Sequence, residues 1–266
     1  PPIRPAAASA WDLVVPPPAP LERFPEFERT SFISVPQALP RAPAASTPAE
    51  AAPAKPRLDR LQLTSWALLR NGLGNQAIAQ GGTLGGSQVG ARLTYKFTPA
   101  IAASLRFSSS AGGVRGAEAA AGIRWQPFQA VPVALNLERR QRLGRWGGRS
   151  DFAAFVEGGL YQRPVALGFA LDAYAQAGWV GVKKGDWFAD GSLTLTRPLW
   201  RNLSAGVGVW AGGQSQGQDS LYRIDAGPRL SYAVRPNLRV HLDYRQRLSG
   251  DALPRSGPAL TVAGDF

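Results

Sequence analysis

From residue 59 onward, apolar and polar residues alternate along the chain with a period of two. In segment 237–248 one face carries Leu238, Val240, Leu242 and Tyr244, and the other carries Arg239, His241, Asp243, Arg245 and Arg247. Successive side chains point to opposite sides of a strand, whereas a helix would mix these two sets on every side. Segments 86–98, 116–127 and 220–234 repeat the pattern. The alternation therefore predicts β-strands with one apolar face and one charged face.

Applied to the whole region, the pattern predicts about twelve strands of about 10–14 residues. A tilted strand of this length can span a bilayer. The predicted strands cover 59–71, 86–98, 100–109, 116–127, 131–143, 150–162, 165–181, 186–198, 202–213, 220–234, 237–249 and 257–266. Connections after even-numbered strands are short, and several contain proline. Connections after odd-numbered strands are generally longer and rich in Gly, Ser or Gln, as at 72–85 and 213–219.

This arrangement of short turns at one end and longer loops at the other predicts an all-β fold, a transmembrane antiparallel up-and-down β-barrel. The apolar face would contact lipid, with aromatic residues such as Tyr95, Trp125 and Tyr232 near the strand ends. A soluble β-sandwich is the alternative. It rarely offers twelve long strands whose second face is charged throughout.

Composition is consistent with this prediction. No run of about 18 apolar residues is present, so no transmembrane helix is expected. The mean hydropathy of −0.15 does not distinguish a soluble chain from a barrel that alternates apolar and polar positions. Cysteine is absent, which excludes disulfides and thiolate chemistry. The net charge of +12 lies almost entirely after residue 58, without the basic helix or aromatic sheet motif that nucleic-acid binding requires.

Residues 1–58 differ from the rest of the chain because they are dense in proline and alanine. Proline at this density prevents regular helix and sheet and favours extended, flexible chain. The sequence therefore predicts a flexible periplasmic tether over 1–58, followed by the barrel over 59–266. The more apolar stretch from Phe24 to Val35 could form a partial plug in the lumen, although a linker segment is the simpler interpretation.

The inner face of the predicted barrel carries the candidate functional residues. A basic stripe is expected from Arg92, Lys96, Arg106, Arg124, Arg140, Arg223, Arg229, Arg239, Arg245 and Arg247. Its expected acidic partners are Asp151, Glu157, Asp172, Asp190, Asp225 and Asp243. Because guanidinium groups outnumber these carboxylates, we expect the acids to stay ionised in structural ion pairs, which does not suit acid catalysis.

Neither an enzyme, a cofactor nor a metal site is predicted. His241 is the only histidine, and it is expected to face inward in the periplasmic half of the wall, where hydrogen bonding is the simplest role. No glycine-rich loop precedes a helix with a phosphate-binding lysine. The glycines of the ninth strand, Gly206, Gly208, Gly212 and Gly213, are expected to leave little bulk on the inner wall, which could admit a plug or a solute.

Two functions remain open. The basic stripe lies on predicted strands 2–5 and 10–11, whereas several acids lie on strands 6–8, so a field across the lumen could guide anions. Alternatively, salt bridges could fill the lumen. The first hypothesis is an outer-membrane channel or exit pore for an envelope polysaccharide or other anionic solute. The second is a non-conducting anchor or receptor whose extracellular loops bind a partner or phage.

The segment that ends at Phe266 places Leu260, Val262, Gly264 and Phe266 at alternate positions. It resembles the C-terminal insertion signal of Gram-negative outer-membrane β-barrels, with Leu260, Val262 and Phe266 as the signal residues. Together with segments 222–229 and 241–247, it is similar to the C-terminal barrels of bacteriophage-adsorption and cellulose-type exopolysaccharide-export proteins. The resemblance implies outer-membrane lipid, the barrel-insertion machinery and periplasmic glycan-export proteins as partners.

Overall fold

The structure is a computed structural model that describes residues 59–71, 77–79, 84, 86–111, 116–128, 130–144, 149–182, 185–216 and 219–266. The predicted tether and partial plug in segment 1–58 lie outside the described residues.

Twelve antiparallel strands form one closed barrel, with each strand paired to its neighbours in sequence and β1 paired to β12. The strands are β1 (Leu61–Arg70), β2 (Gln88–Lys96), β3 (Ile101–Ser110), β4 (Ala117–Trp125), β5 (Val133–Leu143), β6 (Phe152–Pro164), β7 (Ala170–Val180), β8 (Asp186–Trp200), β9 (Leu203–Gln216), β10 (Asp219–Arg235), β11 (Leu238–Gly250) and β12 (Gly257–Asp265). A single closed sheet confirms the predicted barrel and excludes the β-sandwich.

Closure depends on the pairing of β1 with β12. Leu63 and Phe266 exchange two backbone hydrogen bonds of 2.8 Å each, and the neighbouring pair Thr64 and Asp265 adds a side-chain hydrogen bond of 2.7 Å. The pairing continues to Arg70 opposite Ala259. Because both edges are satisfied in this way, the backbone groups of the sheet have partners all around the circumference, as a lipid environment demands.

The barrel exposes apolar side chains and buries charged ones, which is the reverse of the distribution in a soluble protein. Leu242 and Tyr244 are 50% and 49% exposed, whereas Asp243 between them is 2% exposed. The same alternation runs through the other strands, with Leu, Val, Ile and aromatic side chains outward and charged side chains inward. Such an apolar exterior with exposed aromatics near the strand ends is that of a bacterial outer-membrane barrel. The protein is therefore placed in the outer membrane.

The two ends of the barrel differ, and we name them by their connections. At the turn end, two-residue turns join β8 to β9 and β10 to β11, and a 3-10 turn at Ala166–Gly168 precedes β7. At the loop end, the chain between β1 and β2 spans 71–87. Short turns face the periplasm in barrels of this class, so the loop end is extracellular. Among the described residues, no helix is long and apolar enough to span a membrane.

Two local features differ from the sequence prediction. Segment 213–219 is not a long loop, because β9 continues to Gln216 and β10 begins at Asp219, so the hairpin extends further. Residues 213–216 have loop-like composition, yet they pair with residues 219–222 because the backbone groups of the two strands satisfy one another. The seventh strand begins at Ala170 and not at 165, since Leu167 and Gly168 adopt positive φ angles of 61° and 72°.

Candidate functional site

The lumen is the candidate functional site, because the period-two alternation directs the charged residues of every strand toward it. It has two parts. The half near the loop end is filled by buried ion pairs and by residues of the loops. The half near the turn end contains cavities lined by polar and basic side chains.

One buried ionic cluster lies on β3, β4 and β5 in the filled half. Arg106 Nη2 donates to Glu138 Oε1 at 2.6 Å, and Arg140 Nε donates to the same oxygen at 2.8 Å. Glu118 Oε1 accepts a further hydrogen bond of 3.4 Å from Arg106. These four side chains are at most 6% exposed, and two positive charges balance two negative charges. The cluster therefore braces the wall without leaving a free charge.

A second cluster fills the opposite wall, on β1 and β10. Arg223 Nε donates to both carboxylate oxygens of Asp225, at 2.7 and 2.6 Å, and Arg70 Nη2 adds a hydrogen bond of 3.3 Å. Asp225 is completely buried. Arg70 on β1 and Asp225 on β10 both point inward, and the Arg70 side chain reaches Asp225 across the inner side of β12 and β11.

A third cluster surrounds Trp210, which projects inward from β9 and is 2% exposed. The guanidinium carbons of Arg229 and Arg245 lie 5.3 and 4.5 Å from its ring centroid. Both arginines also bind Asp243. A Cβ atom at Gly208 would collide with the Trp210 ring. The space left by this glycine is therefore filled by tryptophan and is not open to a solute.

Two residues of the first loop lie inside the lumen and fill part of it. Ile78 and Ala79 pack in an apolar cluster with Phe155 and Phe188 of the inner wall, and are 5% and 3% exposed. The backbone N–H of Ile78 donates to Gln214 Oε1 at 2.7 Å, and its carbonyl accepts from Arg140 Nη1 at 2.9 Å. Strands β5 and β9 thus hold the segment from two sides.

Three further loop positions are anchored in the same half. The Leu84 N–H donates to Asp190 Oδ2 at 3.3 Å, and Leu84 is 1% exposed. In the connection between β11 and β12, the Ala252 carbonyl accepts from Arg223 Nη1 at 3.1 Å, and the Arg255 carbonyl accepts from Arg223 Nη2 at 3.4 Å. Charged wall residues therefore hold two loops inward at the extracellular end.

The periplasmic half contains three adjoining cavities. Cavities of about 440 and 400 Å³ share Thr64, Arg92, Arg124, Gln126 and Glu157 in their walls. A cavity of about 280 Å³ shares Gly159 and Tyr174 with the second of these. Volumes of this order are those of small-molecule sites. We call these three cavities the vestibule.

Glu157 is the central acid of the vestibule. Arg92 Nη1 donates to its two carboxylate oxygens at 2.8 and 2.9 Å, and Arg124 Nε donates at 3.1 Å. The Tyr174 hydroxyl lies 3.5 Å from Oε2. Two arginines therefore face a single carboxylate, which leaves one positive charge uncompensated at this point of the wall.

The smallest cavity contains the only histidine. His241 Nδ1 lies 2.8 Å from Ser231 Oγ. The Arg239 guanidinium lies 5.3 Å from the ring centroid of Tyr161. Asp172, on the same wall, accepts hydrogen bonds of 2.7 Å from the backbone and side chain of Gln162. The histidine thus has a hydrogen-bonding partner in the periplasmic half of the wall, where the sequence places it. The expectation that the chain is not an enzyme stays a prediction.

The predicted stripe residues all belong to the inward register but lie in three places. Arg106, Arg140, Arg223 and Arg245 are bound to carboxylates or to loop carbonyls in the filled part of the lumen, and Arg229 is bound to Asp243 beside the smallest cavity, which it also lines. Arg92, Lys96, Arg124 and Arg239 line the vestibule. Arg247 lies near the loop end, where its backbone N–H donates to Ser256 Oγ. Within the described part of the chain, Lys96, Arg239 and Arg247 have no carboxylate at ion-pair distance.

The predicted acids behave differently from one another. Glu157, Asp225 and Asp243 form ion pairs, Asp172 and Asp190 accept hydrogen bonds from neutral groups, and Asp151 Oδ1 accepts from the Phe152 N–H. Several arginines of the basic stripe have carboxylate partners on their own side of the wall, which reduces the charge separation across the lumen. Glu118 and Glu138 neutralise Arg106 and Arg140 from the basic side itself, and Asp225 and Asp243 do the same on β10 and β11.

Glu118 and Glu138 belong to the lumen network but were not among the predicted acidic partners. The alternation indicates that both side chains point inward, but their partners depend on the register between β3, β4 and β5. No sequence signal marks Ile78 as a residue inside the lumen. The insertion-signal residues Leu260, Val262 and Phe266 lie on the outward register of β12, and their recognition by the insertion machinery stays a prediction.

No protein-family model matches the chain, and no curated protein matches it by sequence. Among solved structures, the barrel is similar to an outer membrane channel from Pseudomonas putida F1, with a TM-score of 0.45 and 12% identity over 78% of this chain and 95% of that chain. The KdgM porin has a TM-score of 0.42 and 12% identity over 77% and 99% of the two chains.

Omp33 from Acinetobacter baumannii has a TM-score of 0.38 and 12% identity over 78% of this chain and 97% of its own. These neighbours are outer-membrane proteins and porins. The finer resemblance to bacteriophage-adsorption and cellulose-export barrels finds no support among them.

Proposed function

We propose that the protein is an outer-membrane channel for small anionic solutes and that the conformation described above is its closed state. The observation that carries the proposal is the position of Ile78 and Ala79 inside the lumen. Part of what fills the lumen belongs to a loop and not to the wall, and two hydrogen bonds and one apolar cluster hold it. A loop held in this way can move without any break in the sheet.

The charge of the vestibule supports anions as the solute. Arg92, Lys96, Arg124 and Arg239 line cavities in which Glu157 and Asp172 are the acids. A positive surplus in a confined, low-dielectric lumen attracts anions and repels cations. An envelope polysaccharide is the narrower possibility. A polysaccharide would require a wider opening of the lumen than a small solute, whereas each cavity has the size of a small-molecule site.

Conductance in planar lipid bilayers tests this proposal. In a salt gradient, the zero-current potential of the wild-type protein should indicate anion preference during openings. Lys96→Glu combined with Arg239→Glu should shift the preference toward cations, because both side chains line the vestibule and have no ion-pair partner among the described residues. Arg235→Gln, at the turn end but outside the cavities, is the control and should leave the potential unchanged.

A non-conducting anchor is the second candidate, and the filled half of the lumen favours it. Ion pairs on β3–β5 and β10–β11, with side chains at most 11% exposed, brace the wall there and resemble structural packing. If the wild-type protein and the variants fold but never conduct, even when the first loop is destabilised, the anchor is the function. In that case the loops at the extracellular end would be the binding surface for a partner or phage.

A further inference from the structure

The two larger cavities of the vestibule have the chemistry of a binding site and not only of a passage. They adjoin each other beside Glu157 and have volumes of about 440 and 400 Å³. One is lined mainly by charged and hydroxyl-bearing residues, and the other includes two aromatic side chains. A solute that fills both cavities would therefore meet a cationic end and an aromatic end.

The cationic end carries a net positive charge. Arg92, Lys96 and Arg124 line the 440 Å³ cavity, and Glu157 is the only acid among its described lining residues, so these side chains together keep two positive charges. Glu157 occupies Arg92 Nη1 and Arg124 Nε. Lys96 lines the cavity and has no carboxylate within ion-pair distance in the described residues. Donors thus remain for an oxyanion.

The aromatic end is formed by Trp66 and Tyr174. Both line the 400 Å³ cavity. The Trp66 ring lies against the backbone of Gly90, where a Cβ atom would collide with it. The buried Trp66 Nε1 has no hydrogen-bonding acceptor among the described residues. An indole that borders a cavity offers an apolar face to a ligand.

Neutral polar side chains lie between the two ends. Thr64 and Gln126 line both cavities, and Gln62 and Thr94 line the first. Hydroxyl and amide groups can donate to and accept from sugar hydroxyls. The aromatic groups complement an apolar C–H face, the neutral polar groups complement hydroxyls, and the cationic groups complement a carboxylate.

We propose that these two cavities bind an acidic saccharide, with its carboxylate at Arg92, Lys96 and Arg124 and its ring against Trp66 and Tyr174. The proposal rests on the proposed function for its role as the entry site of an anion channel. Binding itself does not require conduction. It can therefore be measured separately from channel opening.

Isothermal titration calorimetry of the full chain in detergent micelles tests the site with three probes. Glucuronate carries all three features, glucose lacks the carboxylate, and inorganic phosphate lacks the sugar ring. We expect glucuronate to bind at least about tenfold more tightly than glucose, roughly the effect of one charge-assisted hydrogen bond. Glucuronate should also bind more tightly than phosphate, and its affinity should fall as salt is raised.

Three variants assign the binding to these cavities. Lys96→Gln should weaken glucuronate binding about tenfold. Trp66→Leu should weaken glucuronate and leave phosphate unchanged, because it removes the aromatic face but no charge. Arg235→Gln, which removes one charge at the same end of the barrel but lines neither cavity, should change neither. Retained heat-modifiable mobility in gels shows that each variant is folded.

The outcomes separate the two proposals. Equal binding of phosphate and glucuronate, or no effect of Trp66→Leu on glucuronate, overturns the saccharide site in favour of a simple oxyanion site. No binding of any probe to the folded wild-type protein overturns it as well. Glucuronate binding without any conductance supports the site but overturns the channel. Anion-selective conductance without glucuronate binding does the reverse.

Discussion

Arg229 and Asp243 face each other on β10 and β11 and form a two-bond ion pair inside the barrel. Nε and Nη2 of the guanidinium donate to the two carboxylate oxygens at 2.7 and 2.9 Å, and Asp243 also accepts from Arg245 Nη2 at 3.1 Å. A single buried carboxylate thus serves two arginines that lie against Trp210. Asp243 is the residue on which the charge balance of this cluster depends.

Asp243→Asn should therefore destabilise the barrel strongly. Two buried guanidinium groups would lose their shared counter-charge, at a cost of about 3–5 kcal/mol in the free energy of unfolding. Reversible denaturation in phospholipid vesicles, followed by tryptophan fluorescence, measures this. Asp219→Asn, at the exposed start of β10, is the matched control and should cost little. A loss below about 1 kcal/mol for Asp243→Asn would show that the pair is not structural.

Ile78→Asp should open the lumen. Its carboxylate would enter the apolar cluster formed with Phe155 and Phe188, and burial of an unpaired carboxylate is costly enough to release the segment from the wall. We expect the open probability in planar bilayers to rise more than about tenfold, since each 1.4 kcal/mol changes a population tenfold. Ile78→Leu keeps the apolar contact and should behave as the wild type. An unchanged current from folded Ile78→Asp would mean that the loop does not gate the lumen.

A cysteine pair at positions 64 and 265 should form a disulfide in the folded protein. Leu63 and Phe266 exchange both backbone hydrogen bonds, so Thr64 and Asp265 are the adjacent non-hydrogen-bonded pair, with Cα atoms about 4.5 Å apart. This separation suits a disulfide, and the chain has no cysteine that would compete. Oxidation should change the gel mobility of the unfolded protein, and reduction should reverse the change.

The control for this experiment places the second cysteine three strands away from β1. Thr64→Cys with Ser231→Cys keeps both thiols in the lumen but on β1 and β10, which are not neighbours. This variant should not cross-link within one molecule. Equal cross-linking of the two variants would contradict the closure of β1 on β12.

A charge on the lipid-facing surface should be penalised according to its depth. Leu242 and Leu248 both point outward from β11, Leu242 within the apolar run and Leu248 near the extracellular end. Leu242→Arg should cost about 2–4 kcal/mol of unfolding free energy and Leu248→Arg only about 0–1 kcal/mol. Denaturation in vesicles of fixed lipid composition compares the two. Equal costs would mean that this part of β11 is not inside the bilayer.

The sequence predicted the strands well because alternation is a local property. In β11, the side of each residue follows from its neighbours alone, and the predicted boundaries differ from the structure by one residue at each end. The alternation gave no sign of the gap in the β10–β11 pairing, which skips Gly227 and Pro228. The seventh strand was predicted too long because a left-handed turn at Leu167 is not encoded by alternation.

The contents of the lumen were less predictable because they depend on contacts between distant residues. Which carboxylate binds Arg106 or Arg140 is decided by register, and a shift of two residues would preserve every inward position while changing each partner. The inward fold of Ile78 depends on Gln214 and Arg140, which are 136 and 62 residues away in sequence. The alternation shows whether a charged side chain points inward or outward, but it does not show which charged residue is its partner.

The hydrogen bond between Thr64 and Asp265 joins residues 201 positions apart, and it lies on the seam where the sheet meets itself. Until β12 has been synthesised, β1 has an unpaired edge that no neighbouring segment can cover. A partly translated chain can thus form hairpins but no cylinder, and such an edge cannot rest in hydrocarbon. Insertion into the bilayer and the pairing of β1 with β12 must then be completed together, after β12 has been translated. Until that point β1 has to be kept from pairing with other chains.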